Sequence, residues 1–144
     1  MLKHIPPILT PELLKVLMEM GHGDEIVIAD GNFPGAAIAQ RLIRLDGHGV
    51  PEILDAVMRF LPLDSYTEKP VGLMAVVPGD PVKPTIWEDY RCILDKHEPK
   101  RPEIEYMERF AFYERPHLVS VKRSIRRERP EAVLFERSEF LPFS

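Results

Sequence analysis

A chain of 144 residues, 44 % hydrophobic and 29 % charged, has room for one domain with a real core and is too apolar to be disordered throughout. Its net charge of −4 carries no domain-wide basic footprint, which argues against nucleic-acid binding. One cysteine, Cys92, excludes an intramolecular disulfide framework and fits a reducing, cytoplasmic compartment; neither a signal peptide nor a membrane span is expected.

The first predicted helix starts at Thr10, a good N-cap, followed by Pro11 at the first helical position, where its missing N–H costs nothing. Leu13, Leu14, Leu17 and Met18 then fall on one face, and Gly21 or Gly23 is expected to close the helix in a left-handed cap. Glu25-Ile26-Val27-Ile28-Ala29-Asp30 reads as a buried strand ending in a carboxylate. After a glycine-bounded loop, Ala36–Ala39 suggests a helical turn. Leu42–Leu45 fits a second strand or, nearly as well, a helix, and Asp46-Gly47-His48-Gly49 is a turn. Pro51–Leu61 is predicted helical. Val71–Val77, apolar on both faces, is the strongest strand, as a parallel sheet requires. Trp87–Asp95 forms an amphipathic helix, Ile104–Arg109 a further strand, and Phe110–Arg115 a final helix. Helices alternating with short buried strands predict a single α/β domain, a mainly parallel sheet flanked by helices.

Ligands in such sheets bind beyond the carboxyl ends of the strands. Asp30 stands at one such end. His22, between two glycines, precedes the same strand, and the two are eight residues apart. They are candidates to act together as acid and base near neutral pH. On pattern alone, a surface turn histidine and a loop-capping carboxylate is the commoner arrangement. Arg109 follows a strand end and offers forked hydrogen bonds to substrate oxygens, with a surface ion pair to Glu108 or Glu114 as its plainer role. The five histidines show neither H-x-H nor HExxH spacing, so no metal site is expected. P-loop and GxGxxG patterns are missing, and Ser65 lacks a nucleophile-elbow context. Cys92 reads as core filler, and Trp87 and Tyr90 as packing.

These residues together resemble a known family. Pro11-Glu12-Leu13-Leu14-Lys15-Val16-Leu17 and Glu19-Met20-Gly21-His22-Gly23-Asp24-Glu25-Ile26 open the match. It continues through Asp30, Asn32-Phe33-Pro34, Asp46-Gly47, Leu63-Asp64-Ser65-Tyr66, Val77-Pro78-Gly79-Asp80 and Arg109-Phe110-Ala111-Phe112-Tyr113-Glu114-Arg115. The chain is similar over roughly residues 1 to 115 to the L-fucose mutarotase family, FucU, a relative of the D-ribose pyranase family, RbsD. The resemblance implies a cofactor-free isomerase that interconverts the α and β anomers of a free monosaccharide. It implies ring-shaped homodecamers with sites between neighbouring subunits, and no metal. It further implies His22 as the catalytic residue, with Asp30 and Arg109 binding substrate. A D-ribose pyranase-type isomerase and a non-catalytic sugar-binding protein stay open as alternatives.

From 116 to 144 the sequence departs from the family pattern. The family's Tyr-Gly-Asn triplet is missing, and the 65 residues after Gly79 (144 minus 79) hold no glycine. Either the tail has diverged, its arginines gaining an anionic partner, or the reading frame slips near Arg115. The abrupt end of the match at an ordinary chain length favours the slip. If the tail is real, the two final strands, part of the site and the assembly are the features its departure from the pattern calls into question.

Overall fold

A computed structural model of the chain describes residues 2–30, 33–34, 37, 40–81, 84–115, 119–122 and 132–136, the last two stretches by backbone alone. Its elements are α1 (Pro11–Glu19), β1 (Glu25–Ala29), β2 (Arg41–Arg44), α2 (Val50–Met58), β3 (Val71–Met74), α3 (Ile86–His97), β4 (Ile104–Met107), α4 (Arg109–Glu114), β5 (Val119–Lys122) and β6 (Ala132–Glu136). Apart from Ala37, the helical turn expected over Ala36–Ala39 lies outside the described residues, as does Asn32.

Local chemistry starts α1 as expected: Thr10 Oγ1 accepts from the Leu13 N–H at 3.2 Å, and Pro11 occupies the first turn. Its end differs. Met20 leaves the helix in an extended conformation, so no glycine caps it; Gly23, at φ +77°, instead makes the turn into β1. The ambiguous segment after residue 40 is strand β2. Strand β3 stops at Met74, short of the apolar run's end at Val77, because its neighbour β4 ends at Met107. Past that point the Ala75 N–H still reaches the Met107 carbonyl at 2.7 Å. Strand β4 is itself shortened because Glu108 caps α4, accepting from the Phe110 and Ala111 N–H groups at 2.8 and 3.2 Å.

The sheet runs β2-β5-β1-β6-β3-β4. Strand β5 is parallel to both β2 and β1, and β3 is parallel to β4. Strand β6 lies antiparallel between β1 and β3. Five strands therefore share one direction, and β6 alone opposes them. The final strands, called into question by the sequence of the tail, occupy the centre: both lateral partners of β1 come from the tail, with Ile26 opposite Val119 on one side and Phe135 on the other.

Strand β1 is buried along its whole length, and its alternating side chains feed two cores. Ile26 and Ile28 face Leu13 and Leu17 of α1, Ile53, Leu54 and Val57 of α2, and Tyr90 and Leu94 of α3. Val27 and Ala29 face Phe33, Met107 and Phe112. Phe112 fastens the six-residue helix α4 to this second face and is fully buried; its removal costs about 3–5 kcal/mol.

Glu25 points to the same face and is buried. The Arg115 guanidinium, just beyond α4, donates to Glu25 Oε1 and also lies 3.7 Å from Glu105 and 3.8 Å from Met107 Sδ. A charge-assisted bond thus ties the start of β1 to the chain after α4. Replacing Arg115 with Met takes this charge-assisted bond from a buried carboxylate. The expected loss is about 2–3 kcal/mol in urea denaturation, less than for a fully dry pair because the Arg115 side chain is 28 % exposed. The double variant Glu25→Leu/Arg115→Met should recover most of it.

On the other face, Asp55 of α2 accepts from His97 Nε2 at 2.7 Å and Lys96 Nζ at 3.1 Å of α3. The His97 hydrogen bond, more than Lys96, holds the Asp55 carboxyl below its ordinary 3.8. A lowered folded value means that this contribution is present above 3.8 and fades as pH falls through the folded value. Asp55→Asn should therefore cost about 0.5–1 kcal/mol at neutral pH, a small effect for a half-exposed group. The gap between variant and parent in urea titrations should close under acid, below the ordinary value of 3.8.

Candidate functional site

All five parallel strands begin on one edge of the sheet and end on the other. The amino edge carries His22. Two braces fix its loop: the Gly21 N–H donates to Asp24 Oδ2 at 2.7 Å, and the Asp24 N–H to the Gly21 carbonyl at 3.2 Å. Nearby, Glu19 at the end of α1 accepts from Arg41 at the start of β2 at 2.6 Å, which holds the Glu19 carboxyl below its ordinary range. The His22 imidazole is exposed and stands edge-on to the Tyr66 ring, with centroids 6.4 Å apart and planes at 86°.

The carboxyl edge carries Asp30 and Arg109. Asp30 follows β1 directly and is buried. Arg109 opens α4 just past β4 and is exposed, its Cζ 4.8 Å from the centre of the Phe110 ring. An ion pair with Glu108 does not form; that carboxylate caps the helix. Asp30 and Arg109 are tied through aromatic packing. Phe33, whose N–H donates to the Asp30 carbonyl at 3.3 Å, meets Phe112 at 6.0 Å and Tyr113 at 5.6 Å.

The expectation that His22 and Asp30 act together is not met within one chain. They flank β1, whose four residue steps separate its ends by about 13 Å. Eight residues of sequence are here a straight strand, not a hairpin. One chain thus presents the His22 imidazole on one edge and the Asp30 carboxyl with the Arg109 guanidinium on the other.

A cleft of about 570 Å³ also opens on the amino edge, between the loops that lead into β3 and β4. Asp64, Thr67, Glu98, Arg101 and Glu103 are among its walls; none of the three candidate residues is. Among the described residues no three His, Cys, Asp or Glu side chains gather into a metal-holding group, and no helix is long and apolar enough to cross a membrane. Cys92 is exposed, against the core-filler reading. Tyr90 and Leu94 set the buried stripe of α3, and Cys92, two residues from each, falls on the far side. Tyr66 stands in the sequence only within the matched Leu63-Asp64-Ser65-Tyr66 segment, two positions after an aspartate of the kind that locks a turn, with no role attached to it.

The profile of the RbsD / FucU transport protein family matches residues 3–125. The L-fucose mutarotase of Actinobacillus pleuropneumoniae serotype 5b is 46 % identical over 115 residues, 80 % of either chain. The fucose mutarotase of Homo sapiens is 47 % identical over 120 residues, 79 % of this chain and 77 % of its own. In the solved structures, the fucose mutarotase of Streptococcus pneumoniae in complex with L-fucose is 41 % identical and superposes with a TM-score of 0.85, covering 97 % of this chain and all of its own. With the profile spanning most of the chain and the fold in agreement, the chain belongs to the RbsD / FucU family.

Proposed function

We propose that the chain is a sugar mutarotase that interconverts the α and β anomers of L-fucose or a related monosaccharide without a cofactor. The observation that carries this reading is its 46–47 % identity, over about 80 % of its length, to proteins that bear that activity in their names.

The reaction asks for modest acid–base help. The anomeric hydroxyl gives up its proton, the bond from C1 to the ring oxygen breaks, and the ring oxygen gains a proton. The open aldehyde turns about C1–C2 and closes on its other face. Atoms, charge and oxidation state all return to where they began. His22 is the proton shuttle in this reading, since an imidazole both takes and gives a proton near neutral pH. Asp30 accepts from sugar hydroxyls, and Arg109 donates to them through its forked guanidinium.

His22 on one edge and Asp30 with Arg109 on the other make sense as halves of a site shared by two copies. The amino edge of one meets the carboxyl edge of the next. Such a head-to-tail contact, repeated about an axis, closes into a ring. A homo-oligomeric ring, ten copies by resemblance, is the assembly of this reading. Exposed Tyr66 on one edge, with Val77 and Phe110 on the other, offers apolar area for the contact. The cytoplasm, where a lone exposed Cys92 stays reduced, is the matching compartment.

Saturation-transfer NMR on L-fucose, with galactose and ribose for comparison, tests the activity. The wild type should speed anomer exchange on fucose, and His22→Ala should lower that by about 100-fold with folding intact. Ligand binding without exchange would instead make this a sugar-binding protein. Mixing His22→Ala with Asp30→Asn subunits in equal amounts tests the shared site. If one copy supplies His22 and the next Asp30, about a quarter of the sites regain both residues, and exchange returns to about that share.

A further inference from the structure

The cleft between the loops into β3 and β4 has apolar inner walls and a charged rim. Leu63 and Pro70 are buried on one side, and Pro102 is half-buried on the other. Glu68, Lys100 and Glu103 stand exposed at the mouth. Both walls are held from behind. The Leu63 N–H donates to Glu98 at 3.2 Å, and Asp64 accepts from the Tyr66 N–H at 2.8 Å and the Thr67 hydroxyl at 3.0 Å. Across the cleft, Arg91 donates to the Pro102 carbonyl at 2.7 Å. The cleft is therefore formed in advance, and filling it asks for little ordering of its walls. Its volume of about 570 Å³ is one that holds a compact apolar ligand.

Strand β6 runs toward this cleft. It is antiparallel to β3, so it ends on the amino edge, and its Phe135 lies opposite Val71, the first residue of β3. Pro70, the residue before Val71, is a wall of the cleft. Glu136 ends β6 one step past Phe135, so the chain leaves the sheet about one strand spacing, ~5 Å, from that wall. The sequence then reads Arg137-Ser138-Glu139-Phe140-Leu141-Pro142-Phe143-Ser144. Three large apolar side chains fall within four residues, and Pro142 biases Leu141 toward an extended backbone. The charges around them complement the rim: Arg137 is opposite in sign to Glu68 and Glu103, and Glu139 to Lys100.

We propose that residues 137–144 fold back into the cleft of their own chain, with Phe140, Leu141 and Phe143 against its apolar walls. Four residues, Arg137 to Phe140, span up to about 14 Å when extended, enough to pass the β3 wall and enter. A tether this short keeps the segment near the cleft at millimolar effective concentration, which favours it over a separate partner. The cleft lies on the β3–β4 flank of the edge and holds none of the three candidate site residues, so this docking is independent of the sugar reaction.

The test uses the full-length chain with Phe143 replaced by the photo-crosslinking residue p-benzoylphenylalanine. Irradiation should leave the chain mass unchanged, and peptide mapping should find the link within residues 63–70 or 98–103. Adding Phe140→Asp should lower the yield about ten-fold, the effect of withdrawing one large apolar side chain from burial. The reciprocal chain, p-benzoylphenylalanine at 140 with Phe143→Asp, should behave alike, and circular dichroism should match the parent in each. A link that doubles the mass puts a second copy in the cleft and overturns the proposal. So does a link to neither wall, or a yield that Phe140→Asp does not lower.

Discussion

Strand direction governs what one copy of this protein can do. In a sheet whose main strands all point one way, the residue before a strand and the residue after it are held apart by the strand's full length. Strand β1 is straight, short and buried on both faces, so no side-chain motion brings His22 to Asp30. A hairpin fold would have allowed a self-contained site from the same residues. The parallel arrangement divides the candidate residues between two edges, and in the proposed function that division is what gives assembly a purpose.

The two cores on either side of β1 serve that division. The larger one, under α1, α2 and α3, fixes the amino-edge loops by fixing the helices and strands they join. The smaller one, around Phe33, Met107 and Phe112, fixes the carboxyl edge, because Phe33 follows Asp30 and Phe112 follows Arg109. The Glu25–Arg115 bond ties the start of β1 to the residue that ends α4. Electrostatics is thus used sparingly. One half-buried pair, Glu25–Arg115, anchors the second face, while the Asp55–His97 and Glu19–Arg41 pairs join neighbouring elements nearer the surface.

Much of this was legible in the residues. Thr10 and Pro11 announced α1, and the spacing of Ile53, Leu54 and Val57 announced α2, because capping and periodicity are local properties. The double-sided burial of β1 was legible in an unbroken apolar run. Strand limits were less so, since β3 and β4 stop where a partner or a cap intervenes, and neither is local. Neighbour relations were the least legible. No pattern in Ile26–Ala29 says that Val119 and Phe135 will lie beside Ile26. For the site, glycine-flanked His22, strand-end Asp30 and strand-end Arg109 could be picked out singly, but their separation followed from strand direction. Tyr66 needed the structure, because an exposed aromatic beside a histidine leaves no periodic trace.

The placement of β5 and β6 has a consequence for how the protein is made. Strand β1 ends at residue 29 and β5 begins at residue 119, ninety positions later. At ordinary synthesis speeds a ribosome takes roughly ten seconds to cover that distance. Through that interval β1 has apolar faces and two open edges of unpaired N–H and C=O groups without its final partners, the kind of edge that recruits other chains. The sheet cannot grow outward from its first strand as the chain emerges. It has to wait and then admit its two central strands last, between elements already present. Such long-range closure is slow by nature. An interrupted synthesis, or a chain cut after Arg115, leaves a set of fragments whose middle is missing. Folding is therefore a property of the finished chain, and the segment least like the family by sequence is the one that completes it.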